Sequence, residues 1–337
     1  MGHQNVKDFK VGDKVTGYYL VKSKRQKTTK AGDPFVDLDL TDRTGMINAK
    51  LWSNLRDYFD LFERDDVVMV KAVVEDYQGK KQLKIAELRP AAEQDKVDMT
   101  ELIKRSSRDP ETELAYLREQ IQSLQNEHLR ALLEIFFDDQ ELVSAFKKSA
   151  AARNLHHVYQ GGLLEHTVKV VKLARFAAEE LYAEEVDRDL VIAGAILHDV
   201  GKITELNSEA AISYTTPGYL IGHITLGSIM MREAAEKIPG FPEPLRLELD
   251  HIILSHHGER EFGSPVLPMT PEAMVVHIAD NLDAKTNMVL SAIAEDQNVE
   301  EDFTQYHKAL NRHFFKSRRP QGNPQPAEPE KAGKKKG

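Results

Sequence analysis

The chain contains no cysteine. That absence removes disulfides, thiolate zinc sites and a cysteine nucleophile in one step. No apolar run approaches the roughly 20 residues that a membrane span needs. The opening Met1-Gly2-His3-Gln4 has none of the features of a signal peptide. An excess of positive charge is missing as well: 45 Lys and Arg stand against 54 Asp and Glu, a net charge of -9. An acidic total argues against a protein that coats DNA without selectivity, while leaving room for local basic patches. The expectation is a cytoplasmic protein with no membrane partner.

What is present points to two domains. A length of 337 residues is enough for two ordinary cores, and 41% hydrophobic with 29% charged residues is a soluble globular profile. Nine of the 13 histidines fall between His156 and His277. Histidine is the commonest metal-binding side chain, so such clustering calls for a cause.

Residues 10 to 90 read as β. Lys14 to Val21 is a strand-like run of β-branched and aromatic residues. Phe35-Val36-Asp37-Leu38-Asp39-Leu40 alternates apolar and acidic, as a half-buried strand does. Asp42-Arg43-Thr44-Gly45 turns the chain into Met46 to Trp52, forming a hairpin. A short helix is expected from Ser53 to Phe62, then a strand at Val67 to Val74 and a last strand at Gln82 to Leu88. Five strands with a helix between the third and fourth is the order of a small OB barrel. Lys22, Lys24, Arg25, Lys27 and Lys30 form a run without an acid, placed by this reading in the loop between the first two strands. Tyr19, Phe35 and Trp52 supply aromatic faces nearby. Bases stack on aromatics while phosphates follow positive charge, so these eight residues are the candidate nucleic-acid contacts. The alternative is a solvated basic hairpin over an ordinary aromatic core.

After a linker at Pro90 to Asp98, helical periodicity dominates to about His313. Asp109-Pro110-Glu111 is a helix start with its cap. The tail from Arg318 to Gly337, rich in Pro, Gly and Lys, is expected to be disordered. Within the helical part, Leu190 to Leu197 is almost wholly apolar and must be buried. It delivers His198 and Asp199 into the interior, where an aspartate is costly unless paired or metal-bound. Gly201 is expected to end that helix and to present Lys202 at the rim. Asp280 ends a second apolar stretch from Met274, and His166 follows Gly161-Gly162-Leu163-Leu164-Glu165. Facing helices of a bundle can aim side chains from separate segments at one point.

The pattern of His166, His198-Asp199 and Asp280, with the segment His198-Asp199-Val200-Gly201-Lys202, resembles the HD phosphohydrolase superfamily over roughly residues 155 to 285. By that resemblance His166, His198, Asp199 and Asp280 are metal ligands, and His223 and His256 match the further ligands of members with two ions. His257 competes with His256 for its place. His156, His157, His251 and His277 are read as surface groups or as supports for ligands, and Glu165 as a support or a solvated acid. Asp199 and Lys202 are the candidate catalytic groups, Lys202 either neutralising a phosphate oxygen or capping a helix. Mixed nitrogen and oxygen ligands suit Mn²⁺, Fe or Zn better than Ca²⁺.

The fold class expected is therefore an N-terminal all-β OB barrel followed by an all-α HD-type helical domain. Residues 1–90 would be the barrel, 91–150 a linker and helical segment, 151–317 the HD domain and 318–337 the tail. An OB module ahead of an HD domain resembles the YhaM family of bacterial 3′→5′ exoribonucleases. That resemblance implies one or two divalent ions with Mn²⁺ foremost, single-stranded RNA and also single-stranded DNA as substrates, and a homo-oligomer. Two other readings compete: a small-nucleotide phosphohydrolase of HD type, and a non-catalytic regulator that binds single-stranded nucleic acid. The stretch Gly258 to Pro265 lacks the Gly-Tyr-Pro expected of cyclic-dinucleotide hydrolases.

Overall fold

A computed structural model describes residues 3–29, 31–52, 59–152, 157, 159–207, 212–296 and 301–316. The helix expected from Ser53, the cation Lys30, His156 and the tail from Arg318 lie outside or largely outside the described residues.

The first part is a closed five-stranded barrel: β1 (Lys14–Thr28), β2 (Pro34–Asp42), β3 (Gly45–Leu51), β4 (Val67–Tyr77) and β5 (Lys80–Pro90). Neighbours run β1-β2-β3-β5-β4, with β3 and β5 parallel and the remaining pairs antiparallel. The alternation that predicts the strands also fills the barrel. Val15, Tyr19, Val21, Val36, Leu38, Leu40, Val68, Val70, Val74 and Leu83 belong to one buried cluster. Asp42 closes the β2–β3 turn by accepting from the backbone N–H groups of Thr44 and Gly45 at 2.7 and 3.0 Å.

β1 is longer than its sequence suggests. Residues 14–20 pair with β4, and residues 20–28 pair with β2 beyond an irregularity between Val21 and Ser23. The expected basic loop is therefore strand. Alternate cations meet the alternate acids of β2: Arg25 reaches Asp39 at 3.0 Å and Lys27 reaches Asp37 at 2.5 Å.

The second part is helical: α1 (Pro110–Gln122), α2 (Glu127–Asp138), α3 (Gln140–Lys148), α4 (Gly162–Phe176), α5 (Arg188–Leu197), α6 (Lys202–Glu205), α7 (Thr216–Leu220), α8 (His223–Ala235), α9 (Glu243–Ser255) and α10 (Pro271–Glu295). Asp109 caps α1 as expected, accepting from Thr112 N–H at 3.0 Å. Helices α1 to α3 bury Leu117, Leu129, Leu133 and Phe146 in the same apolar cluster as Leu164, Ile192, Ile253 and Val276. The segment before residue 150 thus packs as part of the helical core. A second compact unit begins at Val289. The helical periodicity expected up to His313 is not realised there: α10 ends at Glu295, and residues 303–315 form short antiparallel bridges, Phe303 with Phe315 and His307 with Arg312.

One close approach sets the geometry around the histidines. Gly201 has ordinary helical backbone angles, φ -61° and ψ -16°, so the expected role of helix terminator does not apply. A Cβ placed on it would lie 2.1 Å from the carbonyl oxygen of His223 and 2.5 Å from the nitrogen of Gly227. Glycine is there so that the turn after α5 and the start of α8 can touch backbone to backbone.

Gly201→Ala should therefore destabilise the protein by about 1–3 kcal/mol, the cost of overpacking. Gly227→Ala, whose nearest neighbour would be at 3.4 Å, should be near neutral, helped by the better helix propensity of alanine. Urea midpoints of the two variants check the contrast.

Candidate functional site

Five histidines and two aspartates converge inside the helical core. α5, capped by Asp187 and buried from Asp189 to Leu197, ends at His198. His198 and Asp199 follow in the turn that Gly201 allows. His166 lies in the first turns of α4, and His223 opens α8 after Gly222, which has φ 79°. His256 and His257 sit in the turn after α9. There Gly258 combines φ 77° with a position whose Cβ would fall 2.0 Å from the His277 ring. His277 Nδ1 donates to the carbonyl of His256 at 2.7 Å, so His277 props this turn and does not join the cluster. Asp280 stands within α10, which runs on to Glu295. The apolar stretch from Met274 thus ends at Asp280 while the helix does not.

The ligand-type atoms divide into two groups. His166, His198 and Asp280 form one and His223, His256 and His257 the other, each within a span a single ion could bridge. Asp199 faces both. Its Oδ2 is 3.5 Å from His166 Nε2 and 3.4 Å from His198 Nε2. Its Oδ1 is 3.6 Å from His223 Nε2 and 3.4 Å from His256 Nε2. His166 Nε2 also lies 3.1 Å from Asp280 Oδ1. The structure thus brings together all six residues singled out as ligands and adds His257, which the sequence reading set behind His256.

The imidazoles share one orientation. Each Nδ1 faces an oxygen that only accepts: Asp283 Oδ2 for His166 at 2.7 Å, the Ala195 carbonyl for His198 at 2.8 Å, Glu205 Oε1 for His223 at 2.9 Å, the Ile253 carbonyl for His256 at 2.6 Å and the Phe262 carbonyl for His257 at 2.7 Å. Nδ1 therefore carries the hydrogen, and a neutral ring turns the Nε2 lone pair inward. Among buried side-chain atoms with no hydrogen-bond partner are Asp199 Oδ1 and His256 Nε2. Buried polar atoms are normally satisfied, and one cation satisfies an inward carboxylate oxygen and an inward lone pair together. The donor set fits a divalent transition metal.

The charges agree with that fit. Burial would raise the Asp199 pKa, but Lys202 and His198 outweigh it and hold the carboxyl well below its usual range. Burial would lower His166, yet Asp280 and Asp283 raise it to about 9. With no ion bound a proton therefore occupies Nε2, the place a cation would take, and the ring is neutral only when that proton is displaced. In the other group, burial and the neighbouring His256 and His223 push His257 down to about 3, which keeps its lone pair free.

Lys202 is not at the rim. It is 5% exposed, and its Nζ donates to Asp199 Oδ2 at 2.5 Å. Glu165 is a support: it accepts from Ser106 Oγ at 2.6 Å and pairs with Lys169 at 2.9 Å. His251 braces a loop by accepting from Met269 N–H at 2.9 Å. Sequence reading passed over Asp283 and Glu205. Asp283 had a signal, its i+3 spacing from Asp280 on one helix; Glu205 had none.

On the barrel, Phe35 and Trp52 stack with centroids 4.7 Å apart, and Trp52 is 44% exposed. Lys50 Nζ lies 5.1 Å from the Phe35 ring centre. Tyr19 is corrected: it is fully buried, its hydroxyl donating to the Gln4 carbonyl at 2.8 Å, and offers no face to a base. Lys24 is corrected too. Its side chain is only 7% exposed, and its Nζ donates to the carbonyls of Phe59 and Phe62. Arg25 and Lys27 are exposed but matched to β2 acids, and Lys22 lies on the same strand.

Among the described residues no helix is long and apolar enough to cross a membrane. An HD domain model matches residues 163–285, and an OB-fold nucleic acid binding domain model matches residues 20–91. Proteins named 3′-5′ exoribonuclease YhaM are similar over nearly their whole length. The one from Shouchella clausii is 36% identical over 93% of this chain and 96% of its own. The one from Bacillus subtilis is 36% identical over 91% and 96%, and that of a Geobacillus species 37% over 91% and 93%. A likeness of more than a third of positions, sustained through the barrel and the histidine-lined core alike, places the chain in the YhaM 3′-5′ exoribonuclease family.

Proposed function

We propose that the chain is a metal-dependent phosphodiesterase that removes nucleotides from the 3′ end of single-stranded RNA. The observation that carries the reading is the Asp199 carboxylate, one oxygen turned to each of two histidine groups. His166, His198, Asp199 and Asp280 would hold one ion, and Asp199, His223, His256 and His257 a second. Ions bound there supply Lewis-acid polarisation of a phosphoryl oxygen and a more acidic water, which is what phosphodiester hydrolysis at neutral pH requires.

The protein's own part is preorganisation. Nδ1 contacts fix all five rings before any substrate arrives. Lys202 acts through Asp199: its ammonium neutralises and orients the carboxylate, so it is a positioning residue. The Phe35–Trp52 stack offers a base an aromatic face, as single-strand-binding OB modules do, and the adjacent Lys50 is paired with Asp37 at 2.5 Å. Arg25 and Lys27 can add charge at the edge of that face, whereas Tyr19 and Lys24 do not contribute. The family likeness extends the reading to Mn²⁺, to single-stranded DNA, to a homo-oligomer and to a cytoplasmic setting.

A 5′-labelled single-stranded RNA incubated with the full chain and Mn²⁺ should give a descending ladder. Asp199→Asn should slow it by about 10²–10³-fold or more, the scale of losing a preorganised charge. An intact label with the unaltered chain would turn the reading toward a small-nucleotide hydrolase or a binding protein.

Trp52→Ala should cost about 1–3 kcal/mol of RNA binding, the value of one stacked base. Steady-state kinetics should show this as a higher KM with kcat nearly unchanged.

A further inference from the structure

A third group of ligand-type residues, His157, His166 and Asp283, adjoins the first two. Its contacts are those of a hydrogen-bonded support. Asp283 Oδ2 accepts from His157 Nε2 and from His166 Nδ1, both at 2.7 Å. His166 has already turned Nε2 to Asp280 and Asp199. A neutral ring has one proton and one lone pair, so Nδ1–H on Asp283 commits the lone pair at Nε2 to the first ion group.

We propose that Asp283 and His157 are positioning residues that set how tightly the ion on His166 is held. The proposal rests on the metal reading of that cluster. Asp283 is the anion that orients His166, and His157 in turn orients Asp283. His157 is itself held in place: its backbone N–H donates to Asn287 Oδ1 at 2.9 Å, its Nδ1 lies 2.7 Å from the Tyr159 hydroxyl, and its φ is 47°, a left-handed angle that a non-glycine residue keeps only under constraint. Gly162 yields room for it, since a Cβ there would fall 2.2 Å from the His157 carbonyl oxygen. Lys169 Nζ, paired with Glu165 at 2.9 Å, stands 3.7 Å from Asp283 Oδ1. Asp280, Asp283 and Asn287 recur at three and seven residues along α10, so one helix face carries the ligand, its neighbour's anchor and the anchor of that anchor. A buried histidine–carboxylate pair is a poor way to fill a core; its close contact with a ligand ring gives it another purpose. His223, His256 and His257 rely on Glu205 and on backbone carbonyls, so the second group should not depend on Asp283.

The test is Mn²⁺ titration of the full chain, stripped by a chelator and followed by calorimetry and by electron paramagnetic resonance. Thermal unfolding of the metal-free protein serves as the control. Asp283→Ala should weaken one of two binding events by about 10–100-fold, the usual effect of losing a partner behind a metal ligand, and leave the other unchanged. His157→Gln should weaken the same event by a smaller factor. Asp283→Asn keeps the volume and one acceptor oxygen, so it should fold even where the alanine variant fails, with an intermediate loss. Mn²⁺ isotherms of Asp283→Asn and His157→Gln that overlay the unaltered chain would overturn the proposal. So would equal weakening of both events together with a lower metal-free melting temperature. Two Mn²⁺ bound by a chain that leaves RNA intact would sink the exoribonuclease reading without touching this one, and no Mn²⁺ bound by the unaltered chain would sink both.

Discussion

The Asp199 carboxylate is 2% exposed and ionised, and a charge in that position is costly unless both oxygens are met. Lys202 meets Oδ2 from three residues away on the same turn, but Oδ1 has no hydrogen-bond donor. The surrounding helices respond to that imbalance. α5 brings the carboxylate inward on an apolar stem, α8 and α9 bring imidazoles to its bare side, and α4 and α10 close the other. The backbone contact at Gly201 keeps the turn bearing Asp199 against the helix bearing His223. Exchanging that glycine would alter the core and the cluster together.

The rings are held from behind by carbonyls at helix ends as much as by side chains. Ala195, Ile253 and Phe262 give backbone oxygens to His198, His256 and His257. These are among the last carbonyls of helical or turn segments, which lack an intrahelical partner. A histidine just past a helix end meets such a carbonyl and keeps its other nitrogen for the interior. The local fold and the ring orientation thus share one cause.

Much of this was legible in the sequence. The apolar run before His198 required burial, and the alternation of β2 required a strand. Tyr19 was readable as core, since Val15, Tyr19 and Val21 share odd positions on one strand and thus one face. The basic run was misread as a loop because charge alone does not separate loop from strand; the deciding clue was the matching alternation of Asp37 and Asp39 on the partner. His256 and His257 could not be ranked, since the φ of Gly258 sets how that turn presents them. Glu205 was out of reach: its contact with His223 spans 18 residues and leaves no periodic trace.

β1 serves two walls of the barrel, its first half on β4 and its second on β2. The second half can pair early, because β2 follows within a few residues. The first half must wait for residues 67–73, so the strand is recruited in two stages. Closing the barrel carries the loop entropy of that span before its contacts form. Closure also needs β5, which lies between β3 and β4, so the barrel is complete only once residue 90 has been made. The helical half follows it in the chain, and the barrel can therefore close ahead of the histidine core.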